Sequence, residues 1–230
     1  MWKEIIKTWV DWVKSTISTW GTDVLMETTH TKVAELVDIL DKQVYLDTWE
    51  IKVIWSVVKA EAHESWEFHQ AGHVWIYNSK WEILLQKRTQ GKDVDSWLWD
   101  ISAAWHIEMW ESMEKWTLRE LREELGEKWI NKALKIHQPE HIYTYIEDIK
   151  RIIQWKDWHN NELNSVYILK YDWPIEELEK QEEEIESIKF IPLEQFEQEI
   201  NDPEESKKYV LQWPEYYEKL FKELKKRLKK

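Results

Sequence analysis

From Glu35 onward, apolar and polar residues fall in short runs separated by turn residues. Val37-Asp38-Ile39-Leu40 and Trp49-Glu50-Ile51-Lys52-Val53-Ile54 predict two short strands. His73-Val74-Trp75-Ile76-Tyr77, a turn, and Glu82-Ile83-Leu84-Leu85-Gln86-Lys87-Arg88 predict a hairpin, and Leu98–Ser102 a further short strand. Over 112–125 the period lengthens to that of a helix. Ser112 suits its N-cap, Leu118, Leu121 and Leu125 share a face, and Gly126 ends it. Strands are predicted over Glu140–Asp148, Asn164–Tyr171 and Ile188–Ile191, and Pro192 opens another helix. Tyr217, Leu220, Phe221, Leu224 and Leu228 line a last helix with lysines opposite, which reads as a packing helix with a solvated basic face. Before all this, Ile5, Ile6, Trp9, Val10 and Val13 keep a helical period that Gly21 and Thr22 break. The pattern divides the chain into an N-terminal extension of no assigned role (1–34), an α/β domain (35–200) and a C-terminal packing helix (201–230).

Composition narrows the function. Among 230 residues there is no cysteine, which removes disulfides, thiolate metal sites and a cysteine nucleophile. The net charge of −13 argues against binding a nucleic acid polymer, which needs basic surface for its phosphates. It leaves room for a small phosphorylated substrate bridged to acids by a cation. No apolar run approaches the roughly 20 residues that span a bilayer, and the periodic, acid-bearing start is a poor signal peptide. A cytoplasmic protein with no membrane partner is the expectation.

Nineteen tryptophans beside four glycines invert ordinary usage. Several sit in turn-like contexts that favour glycine, such as Asn78-Ser79-Lys80-Trp81, Asp95-Ser96-Trp97 and Lys156-Asp157-Trp158-His159-Asn160. Trp75 and Trp99 instead lie in apolar, strand-like settings. Some bacterial lineages read UGA as glycine where other codes read tryptophan, so glycine is the expectation at the turn-like positions.

The chemistry concentrates on the helix after Ser112. Glu120, Glu123 and Glu124 are three and four residues apart, so one face gathers three carboxylates. Bare like charges repel there, whereas a hard divalent cation, Mg²⁺ or Mn²⁺, reverses the sign of the interaction. Taken alone, the helix also reads as an ordinary charged surface with Arg119 pairing to Glu123.

The wider segment, WHIEMWESMEKWTLRELREELG over 105–126, resembles the Nudix box. That box runs glycine, five residues, glutamate, seven residues, then Arg-Glu-aliphatic-any-Glu-Glu-any-Gly. Glu111, Arg119, Glu120, Leu121, Glu123, Glu124 and Gly126 match in register. Trp105 stands at the box's first glycine, whose backbone meets the metal, and Glu127 stands where the family prefers an aliphatic residue. The resemblance implies an α/β/α sandwich around a mixed sheet and a Nudix hydrolase domain that cleaves a diphosphate-linked small molecule. It places Glu120, Glu123 and Glu124 at metal and catalysis, and Arg119 and Glu111 in support.

The stretches HVWIYNSKWEILLQKR, WLWDISAAWHIE and NNELNSVYIL are similar to the branch related to type I isopentenyl-diphosphate isomerase. That likeness implies diphosphate contacts at Arg88 and Lys92, and metal-ligating histidines at His69 and His106, with His63 a further counterpart. The isomerase's acid/base cysteine is replaced by Ala104, so an allylic proton shift lacks its partner. Two rivals to hydrolysis follow: a non-catalytic binding protein, favoured if Trp105 crowds the metal loop, and the isomerase.

Overall fold

The computed structural model describes residues 35–91, 94–109, 112–153 and 156–228. The expectations for the extension 1–34, Glu111 and Lys92 lie outside the described residues. Among the described residues, nine strands form one mixed sheet: β1 (Leu36–Leu40), β2 (Val53–Val58), β3 (His69–Tyr77), β4 (Glu82–Arg88), β5 (Trp99–Asp100), β6 (Ala103–His106), β7 (Glu140–Ile153), β8 (Lys156–Lys170) and β9 (Ile185–Pro192). The α-helices are α1 (Lys42–Thr48), α2 (Lys59–Glu64), α3 (Met113–Leu125), α4 (Glu127–Ile136), α5 (Leu193–Asn201) and α6 (Pro214–Leu228).

Strand β3 is the hub. It runs parallel to β8 from His69↔Glu162 to Tyr77↔Lys170 and antiparallel to β6 from Ala71↔His106 to Val74↔Ala103. Because side chains alternate across a strand, β3 feeds two cores. Val74, Ile76, Leu84 and Trp105 pack against Trp116, Leu121 and Leu125 of α3 and Ile130, Ala133 and Leu134 of α4. Trp75, Leu85, Val166 and Ile168 pack on the other face against Phe196 of α5 and Tyr216, Tyr217, Leu220 and Leu224 of α6. Helices thus cover both faces of the sheet, the expected α/β/α layering. Leu121 is fully buried in the first core. Leu121→Ala is expected to cost about 2–5 kcal/mol, read as a lowered urea midpoint at unchanged slope.

Helix α3 forms where its signals place it. Ser112 Oγ accepts from Lys115 N at 3.4 Å, and Gly126 closes the helix at φ 91°. Glycine is required at 126, since a Cβ there would lie 2.7 Å from Glu179 Cβ. The same residue precedes α4, so Glu127, unusual for the box, supplies an acid to the first turn of that helix.

Three expectations change. The strand over Trp49–Ile54 is instead the C-cap of α1 at Trp49 (φ 62°) followed by β2 from Val53. The turn expected over Lys156–Asn160 is instead the start of β8, paired antiparallel with β7; helices α1, α2 and α4 answer to no expectation. Strand β5 keeps only Trp99–Asp100 of the predicted Leu98–Ser102, and β6 follows at once.

Candidate active site

Two clusters of titratable side chains lie near the end of β6 and the loop that follows it. The first is the acid face of α3. Arg119 reaches Glu120 (2.7 Å), Glu123 (3.1 Å) and Glu108 (3.4 Å), so one guanidinium partly neutralises three carboxylates. Glu124 faces inward and is 3% exposed, whereas the Glu123 side chain is 53% exposed. The loop is held against β1 by Met109 N donating to Leu36 O at 3.0 Å. Burial pushes the Glu120 carboxyl up to about 7; Arg119 opposes this, while Glu123, Glu35 and Glu108 add to it.

That shift fixes a pH dependence. A carboxyl whose folded-state value is raised binds protons more tightly in the native state. Its ionisation therefore lowers stability as pH climbs from about 4.5 to 7. In metal-free protein, Glu120→Gln is expected to gain on the order of 1–2 kcal/mol at pH 8, after allowance for solvent screening, and nothing below pH ~4.5. Urea unfolding at the two pH values checks this; an equal effect at both would refute it.

The second cluster lies across the sheet. His69 on β3, His106 on β6, Glu162 on β8 and His63 on α2 bring one ligand atom each to within 4.8 Å of one another. His63 Nε2 is 3.1 Å from His106 Nε2, which is 3.2 Å from Glu162 Oε1, and His69 Nε2 is 3.8 Å from that oxygen. Backbone carbonyls orient two rings: Nδ1–H of His69 donates to Glu67 O at 2.8 Å and that of His63 to His159 O at 3.3 Å. Both leave Nε2 lone pairs aimed inward, as outer-shell carbonyls do for metal-bound histidines.

Burial lowers His63 to about 3, with His106 adding to the effect, and burial lowers His106 to about 3, with Lys59 adding. Both rings are therefore neutral at neutral pH. Burial raises Glu162, but the hydrogen bond from His106 opposes it and holds the carboxyl below its usual range. Without an ion, a proton on His106 Nε2 is shared between His63 and Glu162, and His69 Nε2 has no hydrogen-bond partner. A divalent ion would engage one atom from each of the four groups. Three nitrogens and one oxygen suit a transition ion better than Mg²⁺, whereas the all-oxygen face of α3 suits Mg²⁺ or Mn²⁺.

The clusters are electrostatically linked. Lys59 bonds Glu35 at 2.9 Å, and the Lys59 charge acts on His106 while that of Glu35 acts on Glu120. Residues 67–213 match the NUDIX domain family. The chain belongs to the Nudix family. It is 33% identical over 141 residues to Nudix hydrolase 3 of Arabidopsis thaliana, covering 60% of this chain and 17% of that protein. It is 34% identical over 73 residues to isopentenyl-diphosphate Delta-isomerase 2 of Photorhabdus laumondii, covering 32% of this chain and 41% of that protein. The chain thus spans less than half the length of these curated relatives. In fold it is similar to DR0079 from Deinococcus radiodurans, with a TM-score of 0.53 at 14% identity, covering 72% of this chain and 88% of that one. Among the described residues, no helix is long and apolar enough to cross a membrane.

Of the residues singled out in the Nudix box, Arg119, Glu120 and Glu123 are brought into one network, with Glu124 on the buried side of the same helix. His69 and His106 meet in the second cluster, joined by His63 and by Glu162, which sequence reasoning did not single out. Its signal was an acid inside an otherwise uncharged strand run, Glu162-Leu163-Asn164-Ser165-Val166. Arg88 is engaged by Asp100 (3.0 Å) and by the Val94 carbonyl (3.2 Å). Trp105 turns its ring toward α3, packed edge-on against Trp116 at 5.4 Å.

Proposed function

We propose that the chain is a divalent-cation-dependent pyrophosphohydrolase acting on a small molecule that contains a diphosphate linkage. The observation that supports it most is the register of the Nudix box on α3, where Arg119 pairs with both Glu120 and Glu123 and Glu124 lies buried on the same helix beside the loop after β6. Glu120 and Glu124 would hold Mg²⁺ or Mn²⁺, with Glu123 completing the set and the backbone at 105 adding a carbonyl. When bound, the cation neutralises phosphate charge and makes water acidic enough to attack. Glu123 or Glu124 would accept the proton that the attacking water gives up. Arg119 holds the carboxylates in place, and Glu111 orients the loop. Arg88 and Lys92 supply forked and point-charge contacts to phosphate oxygens, Arg88 by sharing its guanidinium with Asp100. The test is cation-dependent release of phosphate or a monophosphate from a broad diphosphate panel; binding without release would oppose it.

The His63–His69–His106–Glu162 cluster favours a second reading, the isomerase, which uses histidine ligands. Against it, Ala104 lies two residues before His106, and no thiol exists in the chain to move the proton. Exchange of label between the two isoprenoid diphosphate isomers separates the readings. Hydrolysis without exchange is the expected result.

A further inference from the structure

The tryptophans fall into distinct physical classes. Trp75 is 1% exposed, donates its indole N–H to the Tyr216 hydroxyl at 2.8 Å and packs on Phe196 at 5.5 Å. Trp99 lies beneath two ammonium groups, with Lys189 Nζ at 4.0 Å and Lys87 Nζ at 5.9 Å from its ring. Burial with a satisfied N–H is what an indole is suited to. A cation over the ring is shared by Trp66 (Lys150 Nζ at 4.6 Å) and Trp97 (Lys87 Nζ at 5.2 Å), so what sets Trp99 apart is its place in strand β5, outside the positive-φ positions.

A second class has the backbone of another residue. Among the described residues, five non-glycines have positive φ, and four of them are Trp49 (62°), Trp66 (61°), Trp81 (61°) and Trp97 (67°). Tryptophan is 19 of 230 residues, so chance would rarely place it at four of five such positions. Each stands at a chain reversal: after α1, between α2 and β3, in the β3–β4 turn, and just before β5. The left-handed region is costly for a bulky side chain and free for glycine, the usual residue after a helix and in tight turns. Three of these rings gain little by burial, being 75%, 46% and 44% exposed at Trp49, Trp66 and Trp97.

A third class is buried without its hydrogen bond. Trp105 (8% exposed) and Trp116 (0%) face each other between β6 and α3, and neither indole N–H has a partner. Buried donors are almost always paired, as that of Trp75 is. The Trp116 ring also closes on Gly72, reaching 3.4 Å from where a Cβ at 72 would stand.

We infer that the natural protein carries glycine at Trp49, Trp66, Trp81, Trp97, Trp105 and Trp116, the gene using UGA as a glycine codon there, and carries tryptophan at Trp75 and Trp99. Glycine at 116, opposite Gly72, lets α3 close on the sheet, and glycine at 105 frees the backbone at the start of the metal loop. That consequence rests on reading α3 as the catalytic helix; the glycine assignment does not.

Tryptic mass spectrometry of the protein from its source tests the assignment, because peptides 81–87 and 116–119 begin at two of these positions. Peptides beginning with glycine, from UGA codons, are expected, with UGG at Trp75 and Trp99. Peptides beginning with tryptophan, from UGG codons, would overturn it. Independently, a recombinant chain with Trp49→Gly, Trp66→Gly, Trp81→Gly and Trp97→Gly is expected to melt roughly 5–15 °C above the unsubstituted chain; an equal or lower Tm would count against it. Neither readout depends on activity, so failure of the hydrolase reading would leave both intact.

Discussion

Glu124→Gln is expected to fold and to lose about 10²-fold or more of its cation-dependent turnover. Glu124 is 3% exposed on the sheet-facing side of α3, one turn beyond Glu120. Glutamine has nearly the same volume and keeps a carbonyl acceptor, so the buried position stays filled and Tm should move by no more than a few degrees. On the proposed mechanism, the substitution removes the negative charge that would hold the cation and accept the water's proton. Glu123, whose side chain is 53% exposed, can be replaced at less structural risk, so comparing Glu123→Gln with Glu124→Gln also identifies the base. Steady-state rates beside thermal melts make the measurement. Undiminished turnover in Glu124→Gln would remove Glu124 from the mechanism.

The second large effect belongs to the histidine cluster. Adding Zn²⁺ or Mn²⁺ to metal-free protein is expected to raise stability by ~2.7 kcal/mol at a hundredfold excess over Kd. His69→Ala should abolish most of that gain, since the Nδ1 bond to the Glu67 carbonyl orients the ring and Nε2, 3.8 Å from Glu162 Oε1, has no hydrogen-bond partner. The gain should disappear in acid. Depressed histidine values mean that the native state resists protonation. Stability is therefore full above the unfolded-state value near 6.5 and falls as pH drops toward about 3. Calorimetric titration of both proteins with the ion, at pH 7.5 and pH 5, reads each claim. No shift of Tm by any transition ion would leave the cluster a purely hydrogen-bonded one.

What could be read along the chain depended on how local each signal was. Helix α3 was legible because Ser112, an apolar stripe and Gly126 all lie within one segment. The box residues are equally local, which is why Arg119, Glu120 and Glu123 were found before any geometry. Glu162 was not, because it gains meaning only through His106, 56 residues away, and His63, which is itself 43 residues from His106. Helix α4 was hidden by Gly126, which reads as a stop yet here only separates two helices. The strand placed over Trp49–Ile54 failed for another reason: tryptophan is a good strand former, and at 49 it occupies a left-handed cap where strand propensity has no bearing.

The most direct test of the central claim is hydrolysis of a diphosphate panel in ¹⁸O-labelled water with Mg²⁺ present or chelated, using both the unsubstituted chain and one with Trp105→Gly and Trp116→Gly. The account predicts Mg²⁺-dependent release of a phosphoryl product carrying the label. Binding of diphosphates by both forms, with no labelled product from either, would contradict it and leave a Nudix-fold binding protein.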